Sequence, residues 1–254
     1  MKINTKQTKK DEMNEKPLIF SFISSVFICF VLPFALPVFA QNFSRTFNVS
    51  SEASGLEVIN QVGSIKVTTS DANNIVINAK RIDSRSQISA TQNSEGKVKV
   101  EVNGHGGVDF EITVPPATNL DLITYKGAIS VANLTGPVQA RITTDGLIQF
   151  TGLRSPKVEA HSLGGKVTFT GDLLPDGEYK LKSFSGRVEV NFPSNADFTL
   201  SASSPSGVME MDLDGMPLKF YRQTNQRVEA ACGKGMAKLI LWTQDGSIYL
   251  HRKP

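Results

Sequence analysis

Apolar and polar residues alternate along most of this chain from residue 56 onward, in short runs closed by Gly, Pro, Asn, Asp or Ser. A period of two marks half-buried strands, and no segment carries a helical period. The first half gives strand runs at 56–59, 64–68, 74–79, 97–102, 108–114 and 120–124. The second half repeats one phrase: glycine, any residue, apolar, any residue, apolar. It reads Gly127-Ala-Ile129-Ser-Val131, Gly146-Leu-Ile148-Gln-Phe150, Gly165-Lys-Val167-Thr-Phe169, Gly186-Arg-Val188-Glu-Val190 and Gly207-Val-Met209-Glu-Met211. The glycines are 19, 19, 21 and 21 residues apart. An early copy starts at Gly63 and a last one at Gly246.

A fixed period near 20 residues predicts an all-β, single-domain β-solenoid, or β-helix, with one Gly-x-hydrophobic-x-hydrophobic unit per turn. Each unit holds a second strand: 138–142, 158–160, 179–181, 198–200 and, delayed by an insertion at 212–226, 228–230. Alternation puts Ile129, Ile148, Val167, Val188 and Met209 on one face. Ser130, Gln149, Thr168, Glu189 and Glu210 fall on the other. Stacked about 4.8 Å apart, the apolar positions form one core that no single turn could bury alone. The turn glycines Gly63, Gly127, Gly146, Gly165, Gly186, Gly207 and Gly246 each follow a polar or small residue or, for Gly63, Val62. They are expected in tight turns at positive φ, which glycine adopts without cost.

Residues 1–40 read as an export signal. Lys2, Lys6, Lys9, Lys10 and Lys16 form a basic leader, residues 18–32 are apolar, and Val38-Phe39-Ala40 offers a cleavage site before Gln41. An uncleaved anchor over 18–40 is the alternative. That stretch is long enough to span a bilayer, though Pro33 and Pro37 interrupt it. The expected organisation is therefore 1–40 signal peptide and 41–254 solenoid, with the protein periplasmic, at the cell surface or secreted. Membrane contact is expected only if the segment stays uncleaved.

Charge and composition narrow the function. Taking five lysines and three acids of the leader from the total of +3 leaves +1, which gives nucleic acid no basic excess to bind. Cys232 is the single cysteine after the leader, so no internal disulfide forms there, and its small neighbours fit a buried residue. His105, His161 and His251 are far apart, with no zinc spacing. Asp172, Asp176, Asp212 and Asp214 read as turn residues, and no repeat-wide Asp position suggests calcium. Residues 103–107, Asn-Gly-His-Gly-Gly, read as a hairpin loop. Outward charges from Gln139 to Glu229 alternate in sign and read as a solvated mixed face. No metal or cofactor site is expected.

The order Phe110-Glu-Ile-Thr-Val-Pro-Pro116, Asn119-Leu-Asp-Leu122, Lys126-Gly-Ala-Ile-Ser-Val131 and Leu134-Thr-Gly-Pro-Val138, followed by Thr144-Asp-Gly146, resembles the bacterial "putative adhesin" family. That resemblance covers residues from 56 to the C-terminus and implies an exported, non-enzymatic β-solenoid of otherwise unknown function. Three readings follow. The first is an envelope or secreted binding module touching a surface, glycan or protein with its strand faces. The second is a structural or regulatory envelope protein of the envelope-stress type, with a partner docked near Met209, Met211, Met216, Phe220 and Tyr221. The same patch also reads as the cap of the solenoid end. The third is a polysaccharide-cleaving β-helix using Glu189 and Glu210, one turn and about 5 Å apart.

Overall fold

The computed structural model describes residues 42–50, 54–82 and 85–253. The expected signal peptide lies outside the described residues, and so does the choice between cleavage and anchoring. The described chain holds nineteen strands and no helix. Alternate residues of most strands are buried, and their inner faces share a single apolar core.

The core of the stack is a set of parallel two-strand coils. Strands β2 (Gly55–Thr69) and β7 (Asn119–Ala132) are long enough to run through both layers. The sequence runs at 56–59 and 64–68 are thus one strand that turns a corner at Gly63. On β7 stack β8 (Val138–Ile142) and β9 (Gly146–Leu153), then β10 (Lys157–Ser162) and β11 (Val167–Gly171). Next come β12 (Glu178–Ser183) and β13 (Val188–Pro193). Ile129, Ile148, Val167 and Val188 are successive vertical neighbours, as the alternation predicts. Phe150 and Phe169 stack beside them, fully buried. The buried Tyr179 hydroxyl donates to the Ser155 carbonyl and accepts from the Leu174 N–H, so its polar atom is satisfied.

Both ends of the stack depart from chain order. At one end β14 (Phe198–Ser203) and β15 (Met209–Asp212) form the outer coil, while β18 (Ala237–Thr243) and β19 (Ile248–Lys253) insert inside it. Ile248 therefore stands between Val188 and Met209, and the Gly246 copy comes before the Gly207 copy. The expected second strand at 228–230 lies in β17 (Arg227–Cys232), which is antiparallel to β14. The insertion supplies β16 (Leu218–Gln223), antiparallel to β17. At the other end β5 (Lys97–Gly104) and β6 (Val108–Val114) form the outer coil on β2. Residues 103–107 are then the corner of that coil, not a hairpin loop. Antiparallel β4 (Ser86–Gln92) covers β5, β3 (Asn74–Arg81) covers β6, and β1 (Asn42–Asn48) in turn covers β3. The alternation did not single out β1 or β4, which are half-exposed edge strands.

The glycines do not all serve the purpose expected of them. Gly63 and Gly127 have positive φ (121° and 141°), whereas Gly146, Gly165, Gly186, Gly207 and Gly246 do not. What the seven share is crowding along the stack. A Cβ on Gly127 would overlap the Gly63 carbonyl oxygen, one on Gly146 that of Gly127, and one on Gly165 that of Gly146. The series continues through Gly186, Gly246 and Gly207. Gly63 meets the Val108 carbonyl in the same way, and Val108 itself is tolerated because no parallel coil lies beyond it.

A second column accompanies the first. For six of the seven, all but Gly146, the residue three before the glycine is Asn60, Thr124, Ser162, Ser183, Thr243 or Ser204, all buried. Ser183 accepts from the Gly186 N–H at 2.9 Å and donates to the Gly165 carbonyl at 2.8 Å. Thr243 does the same between Gly246 and Gly186. Ser204 donates to the Gly246 carbonyl, and the Asn60 amide to that of Val108.

Two outcomes test this corner. Gly186→Asn, which tolerates positive φ, should be no better than Gly186→Ala, each losing about 1–3 kcal/mol from overpacking in thermal unfolding. Full rescue by Asn would restore the conformational explanation. Ser183→Ala should cost about 1–3 kcal/mol, because it strips a partner from two buried backbone groups.

Candidate functional site

Parallel in-register stacking turns single outward residues into rows that cross the strands. On the outer face of the layer containing β8, β10, β12, β18, β14 and β17, one row reads Arg141, His161, Lys182, Trp242, Ser203, Arg227. The row beside it reads Gln139, Glu159, Lys180, Ile240, Ser201, Glu229. The charges that alternate along the chain are thus sorted by the register. One row is cationic around a tryptophan, and its neighbour carries the acids. Together they line an open trough of about 640 Å³. Ser201 and Ser203 are short, so the surface dips between Trp242 and Arg227.

The details of the trough follow from its neighbours. Phe184 lies against Trp242 with ring centroids 6.2 Å apart. Arg227 is tied to Glu229 at 2.9 Å. His161 points outward, and its pKa is held below the ordinary histidine value. Partial burial is the first cause, and the positive charges of Arg141 and Lys182 add to it against Glu159.

The opposite face separates the carboxylates proposed for catalysis. Tyr249 of β19 stands between Glu189 and Glu210, which places them two strand spacings apart, about 10 Å. Glu189 is bound to Lys166 at 2.7 Å, which holds its carboxyl below the usual range. Arg187 covers the Tyr249 ring at 4.3 Å. The pair about 5 Å apart that the repeat spacing predicts, which is the separation of a retaining mechanism, is not formed, because the inserted coil was invisible in that spacing.

His105 lies at the β5–β6 corner, His161 in the trough and His251 on β19. Among the described residues no three His, Cys, Asp or Glu gather as a metal site. Asp172 pairs with Arg154 at 3.0 Å, and Asp176 sits in a turn at φ 60°. Cys232 is buried, its Sγ facing the Ala196 carbonyl at 3.4 Å, and burial pushes its pKa up. Met209, Met211, Met216 and Leu218 pack against the core at the stack's end, while Phe220 and Tyr221 remain exposed there. The seven glycines line the corner and touch no trough residue's role.

A family profile described as Toastrack DUF4097 matches residues 46–251. The chain belongs to the Toastrack DUF4097 family. The structure of a "putative cell adhesion protein" from Clostridium sporogenes ATCC 15579 is similar, with a TM-score of 0.51 at 10% identity. That match covers 84% of this chain and 100% of the other. A "putative adhesin" from Bacteroides fragilis NCTC 9343 matches with a TM-score of 0.39 at 13% identity, over 83% of this chain and 97% of that one. At such identities the first likeness shows a shared Toastrack fold and nothing of the site. No curated protein matches the chain.

Two outcomes follow from these contacts. Since Lys166 lowers the Glu189 pKa, the pair stabilises the fold above the unfolded carboxyl's titration and loses that contribution as pH falls through the folded value. Glu189→Gln should therefore cost less than about 1 kcal/mol at pH 7 and nothing at pH 2–3, by denaturant unfolding at both pH values. Cys232 should resist thiol reagents in the native protein and react on unfolding; rapid native labelling would contradict its burial.

Proposed function

We propose that this protein is a non-enzymatic, exported binding module of the bacterial cell envelope, and that it grips its ligand with the trough face. One observation carries the reading: a row of cationic side chains flanks Trp242 on a largely parallel sheet, whose register sets the spacing between them. A fixed spacing lowers the ordering cost of binding. The leader sequence supports export, and the description of the Clostridium sporogenes protein of similar fold as a "putative cell adhesion protein" supports adhesion. Glu189 is separated from Glu210 by Tyr249 and held ionised by Lys166, which suits it poorly to donate a proton to a glycosidic oxygen and so favours binding over glycan cleavage.

Two measurements test it. Mass spectrometry of the protein recovered from an exporting bacterial host should give an N-terminus at Gln41; retention of the leader would replace secretion by anchoring. The purified full chain should co-sediment with isolated cell-wall material. Failure to bind any envelope fraction would reject the binding role.

A further inference from the structure

We propose that the trough binds a linear acidic polysaccharide laid along the stack, its anionic groups on Arg141 and Lys182, a sugar ring against Trp242 and its hydroxyls on Glu159. This rests on the binding role above and adds the ligand's chemistry.

The shape of the site asks for a polymer. Arg141 and Arg227 are five strand steps apart, about 24 Å, with an outward side chain at every step. A small anion would use one rung of this ladder. A chain running across the strands uses all of them.

The charges ask for an acid. Among the described residues Lys97, Lys99, Lys166, Lys180, Arg154, Lys238 and, at the far end of the trough, Arg227 each lie within ion-pair distance of a carboxylate. Arg141 and Lys182 have no such partner there, although Glu159 stands on the strand between theirs. Arg141 and Lys182 stand on the strands either side of His161, and their positive charges disfavour its protonated form against the opposing Glu159. A bound anion relieves this repulsion. It forms charge-assisted hydrogen bonds, the stronger kind.

The remaining groups ask for a sugar. Trp242 offers an apolar ring at the centre of the row, suited to the C–H face of a pyranose. Glu159, Ser201 and Gln139 in the next row offer acceptors, and Glu159 offers only acceptors when ionised. A polysaccharide brings hydroxyl donors to meet them. A DNA backbone brings none and sets its own negative charge against Glu159.

The test uses the purified full chain with three probes: polygalacturonate, its fully methyl-esterified neutral form, and single-stranded DNA. Polygalacturonate should bind, and raising salt should weaken it. Arg141→Gln and Lys182→Gln should each weaken it about tenfold or more, while Lys66→Gln and Lys80→Gln on the opposite layer leave it unchanged. Lowering the pH through and below the ordinary histidine range should strengthen binding as His161 gains its proton, and the His161→Gln variant should lose that response. NMR titration should show the His161 pKa rising on addition of polygalacturonate. Equal binding of the neutral ester or of DNA would overturn the proposal. So would cell-wall binding that Arg141→Gln and Lys182→Gln leave intact, an outcome that spares the envelope-binding role. Absence of binding to any wall fraction would remove both.

Discussion

The spacing of the coils is set where they turn, at the contact between one glycine and the carbonyl of the glycine beneath it. Parallel strands pair about 4.8 Å apart, and at the corner that distance leaves no room for a Cβ. Gly165 over Gly146 and Gly186 over Gly165 show the consequence. The same carbonyls would be costly to leave without partners in a buried corner. Ser183 and Thr243 meet that need from the next coil, each accepting from its own glycine N–H while donating to the carbonyl below. Sterics and hydrogen bonding therefore impose one register, and the register aligns both the core and the outer rows.

The ends of the stack follow from a different constraint. A parallel solenoid exposes unpaired strand edges, which invite further strands. Here each end is reached, reversed and tied back. β2 and β7 are adjacent in space though 49 residues separate them, because β3 to β6 are built outward from β2. β18 and β19 slip inside β14 and β15 in the same manner. The antiparallel strands β1, β3 and β4 at one end, and β16 and β17 at the other, then terminate most of the pairing. The result places the last strands of the chain in the interior of the stack, where Leu239, Leu241, Ile248 and Leu250 are fully or almost fully buried.

The sequence made the stack legible and left its order hidden. Ile129, Ile148, Val167 and Val188 could be placed as vertical neighbours because alternation and a period near 20 residues are local facts. The exchange of Gly207 and Gly246 could not, since both copies carry the same phrase and differ only in what pairs with them. The glycines were found for a conformational reason that holds at Gly63 and Gly127 alone. The better clue was the Asn, Ser or Thr three residues earlier, at 60, 124, 162, 183, 204 and 243, which satisfies the corner rather than facing solvent. At Gly146 the residue three earlier is Thr143, which is exposed; the place in the column is taken by Ile142, whose side chain lies close to Gly146.

The trough was unreadable along the chain for a related reason. Arg141, Lys182 and Glu159 read in order give alternating charge, and alternating charge is what any solvated sheet face presents. Register is a relation between strands, so it sorts these residues into rows that no window of sequence contains. Trp242 and Arg227 join the cations only because β18 and β17 reach the stack out of turn. The interleaving that closes the end of the fold is thus the same event that completes the site. Had the coils stacked in chain order, Ser203 would follow Lys182 directly and no aromatic ring would stand among the charges.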